Sequence, residues 1–260
     1  DDEKITEIIQ LQEKLHGTYG RNRKKAAIGV YPLDKITFPV TFKAEKPEKI
    51  SFIPLEADEA MTGLQILSRH KAGREYGALL EGKAKFPIFI DAKSEILSMP
   101  PIINSHLTGR ITEKTNDVFI ECSGFDYDAL SICLNIIVTS LAEMGGEVYS
   151  LELVYPKDKK VSPDLSPRKM KLDLAYVNKR LGLQLKEEET IVCLEKMGFG
   201  YEKGAVLIPP YRADIMHQVD LVEDIAIGYG YENFTEEIPN VSTIGEEAPL
   251  HLDVDNLEIS

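Results

Sequence analysis

Several things are scarce in these 260 residues, and each scarcity removes a class of function. Only three cysteines occur, Cys122, Cys133 and Cys193, odd in number and without CxxC spacing. That excludes a disulfide framework and a structural zinc site, and leaves buried thiols. The five histidines (His16, His70, His106, His217 and His251) have no HExxH spacing, and no GxxxxGK[ST] phosphate loop is found. No apolar run approaches the length of a membrane span, and the opening Asp1-Asp2-Glu3-Lys4 has no signal-peptide character, so a cytoplasmic chain with no membrane partner is expected. Basic residues are outnumbered 30 to 43, giving a net charge of −13. Nucleic-acid contact must therefore be local, or be completed by a partner. Local candidates are Arg21 to Lys25, Arg69 to Arg74 and Lys157 to Lys160, each equally readable as a solvated face.

What is present points to a globular protein, with 43% hydrophobic and 28% charged residues, and a length sufficient for one large domain or two ordinary ones. Apolar residues at helical spacing predict a lead helix over 3–16, and two short helices between 56 and 81 broken at Ala72-Gly73. A longer helix capped by Asp126 should run to about Met144. Between Pro156 and Pro167 large apolar residues nearly vanish, which marks a linker between a first domain over 1–155 and a second over 168–235, with an acidic tail over 236–260.

The most self-consistent stretch runs from Phe86 to Phe125. Phe86 to Ile90 and Ile96 to Met99 read as a hairpin about Asp91 to Ser94, and Pro100-Pro101 ends the second strand. In the next strand, Val118 to Cys122, Glu121 faces opposite to Ile120 and Cys122. Spacing leaves open which face is covered: a solvated strand glutamate is one reading, a buried carboxylate with a purpose the other. Four acids, Asp214, Asp220, Glu223 and Asp224, surround the start of a helix. They suit either Mg²⁺ or Ca²⁺ through oxygen ligands, or helix capping with Asp220 as N-cap and Glu223 as its partner.

PPYRADIMHQVDLVEDIAIGYGYENF resembles the signature of the fifth domain of phenylalanyl-tRNA synthetase beta subunits. ILSMPPIIN, RIT and FIECSG resemble the editing domain of the archaeal and eukaryotic form, and the likeness runs from about Leu11 to Phe234. It implies an α+β chain, with a mixed-sheet editing domain followed by a small α/β domain, cut from a longer subunit. It also implies tRNA(Phe) and the alpha subunit of a heterotetramer as partners, with ATP binding and ligase activity confined to the full enzyme. The four acids match a magnesium site that the family shares with the alpha subunit.

The implied chemistry is proofreading. A phenylalanine pocket rejects tyrosine only about a hundredfold, so a second site must hydrolyse Tyr-tRNA(Phe). Glu121 matches the family's phenol-recognising glutamate, an anionic acceptor that tyrosine satisfies and phenylalanine leaves unpaired at roughly 1–3 kcal/mol. Ser98 and Ser123 would border the pocket, Phe89 would form an apolar wall, and Asn104 with the Pro100-Pro101 turn would hold the ester. Ser98 lacks an adjacent histidine, so a positioned water is the expected nucleophile. This reading requires a hollow beside the strand ending in Ser123. The competing reading is a non-catalytic scaffold that binds tRNA and the alpha subunit.

Overall fold

The computed structural model describes residues 2–235; the stretch read as an acidic tail, 236–260, lies outside the described residues. The lead helix Asp2–Gly17 packs through Leu11 and Leu15 against the central helix Tyr127–Glu143 and the strand Ala26–Pro32. Beside Leu15, the buried His16 ring accepts the Ile28 N–H through Nε2 at 2.8 Å, fixing the helix to that strand. Asp126 accepts the N–H groups of Asp128 and Ala129, which otherwise have no partner at a helix start.

The strand Ala26–Pro32 pairs antiparallel with Val118–Gly124, in a register that sets Gly29 opposite Glu121, Tyr31 opposite Phe119 and Ala27 opposite Ser123. A four-stranded antiparallel sheet stands next to this ladder, ordered Thr41–Glu45, Phe86–Ile90, Ile96–Met99, Ile103–Asn104. Its hairpin turn is held by Asp91, whose carboxylate accepts the N–H groups of Lys93, Glu95 and Thr37. Helices Gly63–Arg69 and Lys71–Tyr76 cover the sheet, placing Ile66 against a core of Ile50, Ile88, Met99 and Ile102. Full burial of each such side chain contributes about 1.5–3 kcal/mol.

The helix break falls at His70, not at Ala72-Gly73. His70 adopts extended backbone, donates its N–H to Ile66 O, and accepts the Ala72 N–H on Nδ1, so one residue closes one helix and caps the next. Residues 56–62 are not helical.

The apolar-poor stretch 156–167 contains the strand Lys159–Ser162, which pairs with Leu151–Val154 in an exposed hairpin. Backbone pairing needs no apolar side chains, which is why composition concealed it. Beyond it a three-stranded sheet, ordered Arg168–Lys171, Ala205–Ile208, Gly200–Glu202, packs with helices Leu174–Leu181, Glu187–Lys196 and Gln218–Tyr229. Their core of Val177, Leu194, Val206, Ile208, Leu221 and Ile225 is separate from the three clusters of the preceding region.

Candidate functional site

Glu121 is buried, 8% exposed, on the same face as Phe119 and Ser123. That face meets the four-stranded sheet, which brings Ser98 and Asn104, paired with each other across two strands, to the carboxyl. Phe89 lies opposite Ser98 on the other side and packs with Tyr31, Leu97 and Phe119. Pro100 is buried one residue past the end of its strand, at a cis Pro100-Pro101 bond. The residues singled out around Glu121 thus assemble from four strands, three of them consecutive in sequence.

At their centre is a residue that sequence reasoning missed. Tyr31 is fully buried, and its hydroxyl lies 2.8 Å from Ser98 Oγ, 3.2 Å from Glu121 Oε1 and 3.4 Å from Asn104 Oδ1. Gly29 makes room for it. A Cβ there would collide with the Tyr31 hydroxyl and lie 2.6 Å from Glu121 Oε1. The available signal was alternation, which puts Gly29 and Tyr31 on one face of a strand; it did not say which face looked towards Glu121.

Among the described residues, Glu121 Oε2 and Ser123 Oγ are buried and make no hydrogen bond of full geometry, although the Ser123 hydroxyl is close enough to the carboxyl to favour its ionised form. Burial pushes the Glu121 carboxyl up to about 8, and the Tyr31 and Ser123 hydroxyls only partly offset this. The group expected to be an anion therefore carries its proton at neutral pH. The Tyr31 phenol is raised well above its ordinary value by burial and by the facing carboxyl. The interior thus holds a neutral phenol against a neutral acid.

Two hollows, of about 440 and 450 Å³, are lined by Arg180, Asp220, Glu223 and Tyr231 in one case and by Glu56, Asp58, Arg69 and His70 in the other; Glu121 lines neither. Its flank is filled by Tyr31.

The four acids do not converge, and among the described residues no three His, Cys, Asp or Glu side chains group as metal ligands. Asp214 takes Arg212 Nε at 2.9 Å and Nη2 at 2.6 Å, and the buried Asp224 takes the same Nη2 at 2.6 Å. Arg212 holds Asp214 below the usual carboxylate range. Asp220 is likewise lowered, by the N–H groups of His217 and Met216, both at 2.7 Å. Asp220 is thus the third helical residue reaching back to the cap position, His217, rather than the N-cap itself. Glu223 is exposed. A guanidinium stands where a cation would need those oxygens, so the acids as arranged do not fit magnesium within this chain.

Within the basic stretch near Arg21, Arg23 turns inward while Arg21 and Lys24 are exposed. Arg23 donates to the carbonyls of Pro101 and Ile102 and stacks on Tyr76.

Residues 170–231 match the family model of the tRNA synthetase B5 domain, which makes that stretch a domain of the tRNA synthetase class. It is 47% identical over 252 residues to the phenylalanine–tRNA ligase beta subunit of Archaeoglobus fulgidus and 42% identical over 256 residues to that of Pyrococcus furiosus. Those matches cover 95% and 96% of this chain and 46% of each relative, so the chain spans about half their length. It superposes on a crystal structure of an N-terminal fragment of the Pyrococcus horikoshii phenylalanyl-tRNA synthetase beta subunit with a TM-score of 0.85 at 42% identity, covering 89% of this chain and 67% of that one. The chain belongs to the phenylalanyl-tRNA synthetase beta-subunit family.

Proposed function

We propose that residues 26–124 form a proofreading site that hydrolyses Tyr-tRNA(Phe), with Glu121 selecting the tyrosine hydroxyl. The observation that supports this is a buried carboxyl with one oxygen engaged and the other without a hydrogen bond of full geometry, next to a Ser123 hydroxyl in the same condition. A phenol hydroxyl would satisfy both orphans, because it can donate and accept. Phenylalanine would leave them desolvated at roughly 1–3 kcal/mol.

A neutral carboxyl serves this purpose without requiring an anion in an apolar interior. The Ser98 hydroxyl is engaged by Tyr31 and is no poised nucleophile, so water attacks the ester and the residues of the site position it. Since side chains cover Glu121, a tyrosyl group must displace some of that cover on entry.

The chain's partners would be tRNA(Phe) and the alpha subunit, with the domain division placed at 156–167 and the setting cytoplasmic. A magnesium ion in the intact enzyme would require Arg212 to release Asp214 and Asp224. Neither of the two hollows described lies beside Ser123, where editing requires one, and that favours the second reading, a scaffold for tRNA and the alpha subunit. A deacylation assay with purified Tyr-tRNA(Phe) separates the two. Editing predicts hydrolysis by the parent chain and loss of about tenfold or more in kcat/KM for Glu121→Ala; an inactive parent leaves the scaffold.

A further inference from the structure

We infer that Tyr31 is a positioning residue for tyrosine selection: its hydroxyl ties Glu121 Oε1 to Ser98 and Asn104 and so aims the free Oε2 at the incoming phenol. The inference rests on the proofreading role proposed above.

Three observations carry it. The hydroxyl meets side chains from three other strands, those of Glu121, Ser98 and Asn104. Its oxygen therefore constrains how the carboxyl is turned about its own axis. Tyr31 is also fully buried, clamped by Leu97 and Phe119, with its ring centroid 5.8 Å from that of Phe119. It is a fixed strut, since its aromatic body has no exposed surface from which to swing. Finally, the two oxygens of Glu121 are unequal: Tyr31 meets Oε1, while Oε2 is buried with no hydrogen bond of full geometry, and the Ser123 hydroxyl beside the carboxyl likewise makes none. A phenol hydroxyl reaching Oε2 does not compete with Tyr31. It completes a carboxyl that Tyr31 has already half satisfied. Gly29, directly across the ladder, permits the arrangement because only a residue without Cβ leaves the Tyr31 hydroxyl its place over the strand.

The alternative is that Tyr31 is an internal competitor, a resident phenol that a substrate phenol must evict. The two ideas predict opposite consequences for Tyr31→Phe, which removes one oxygen and keeps the ring. As a positioning residue, its loss frees Glu121 to rotate. The KM for Tyr-tRNA(Phe) then rises about tenfold with little change in kcat, as expected for loss of one hydrogen bond to the carboxyl. As a competitor, its loss tightens tyrosyl binding.

The test assays the 260-residue chain for hydrolysis of Tyr-tRNA(Phe) against Phe-tRNA(Phe), parent beside Tyr31→Phe, and follows the Glu121 carboxyl by NMR titration in both. The expected result is weakened discrimination through KM, together with a Glu121 titration moved to higher pH than in the parent, because a hydrogen bond favouring the ionised form has gone. An unchanged KM and titration overturns the positioning role while leaving editing intact, and a lower KM overturns it in favour of eviction. A parent chain that fails to discriminate removes both this inference and the editing reading. Should Tyr31→Phe fail to fold, a crystal of the parent with a non-hydrolysable tyrosyl-adenosine decides. A Tyr31 hydroxyl still on Glu121 Oε1, with the ligand phenol on Oε2, supports the inference; a displaced Tyr31 ring sinks it.

Discussion

At the scale of single residues, the chain's interior is tuned by groups whose protonation differs between folded and unfolded states. Glu121 has its carboxyl raised by burial to about 8 from an ordinary value near 4.5. Between those two pH values the folded state holds a proton that the unfolded state has lost, so stability falls as pH rises through the window. The slope is at most about 1.4 kcal/mol per pH unit. Glu121→Gln, isosteric and uncharged, removes that slope. Melting temperatures of parent and variant should diverge in favour of the variant from pH 5 to about 8 and run parallel above that, and curves parallel throughout would show that Glu121 ionises freely. His16 works in the opposite sense. Burial, reinforced by the charge of Arg23, lowers its pKa, and its Nε2 must be unprotonated to accept the Ile28 N–H. The stability it contributes is present above its ordinary value of 6.5 and is lost as pH falls towards the folded value. His16→Ala should cost about 1–3 kcal/mol in urea denaturation at pH 8 from the orphaned Ile28 N–H, with a further loss from the cavity left by the buried ring.

At the scale of elements, close approach is decided by glycines. On the last helix, a Cβ at Gly228 would strike the Cys193 carbonyl oxygen and lie 2.8 Å from its carbon, so helices Glu187–Lys196 and Gln218–Tyr229 touch through that residue. Gly228→Ala must separate two helices whose backbones cannot yield, and the expected loss is about 1–3 kcal/mol by chemical denaturation. Gly204→Ala is the contrast. Nothing lies within 4 Å of its Cβ, but its φ of +80° makes the loss conformational, with no movement of packed helices. Several element boundaries were legible for local reasons. Asp126 does cap the central helix, and Asp91 does close the hairpin. The His70 break was not legible, because it depends on a side chain accepting a backbone N–H two residues on, a choice that apolar spacing does not record.

At the scale of the molecule, the two hydrophobic regions share no core residues, and Asn135 is a polar tie between them. From the central helix its Nδ2 donates to Asp164 O at 2.9 Å and Pro210 O at 3.3 Å. Asn135→Ala should weaken that tie by about 1 kcal/mol, seen in calorimetry as an earlier, more separate transition for the 170–229 core. A single unchanged transition would mean that Asn135 carries no coupling. Arg212 has a comparable role within the second region. Arg212→Met would leave Asp224, 5% exposed, as an unpaired buried charge, at a cost of about 3–5 kcal/mol in denaturation.

The amino-acid sequence alone determined the family, the α+β character, and which strands would carry Glu121, Ser98, Ser123 and Phe89, whereas the short strand of Asn104 was not among them. Those are properties of local pattern: periodicity, turn chemistry and the order of residues along a strand. Tertiary structure alone decided that Glu121 is buried and neutral, that Tyr31 fills its flank, and that Arg212 stands among acids expected to gather round a cation. Burial, protonation and charge pairing depend on what arrives from elsewhere in the chain. Tyr31 comes to Glu121 from 90 residues away, a distance over which periodicity carries no information.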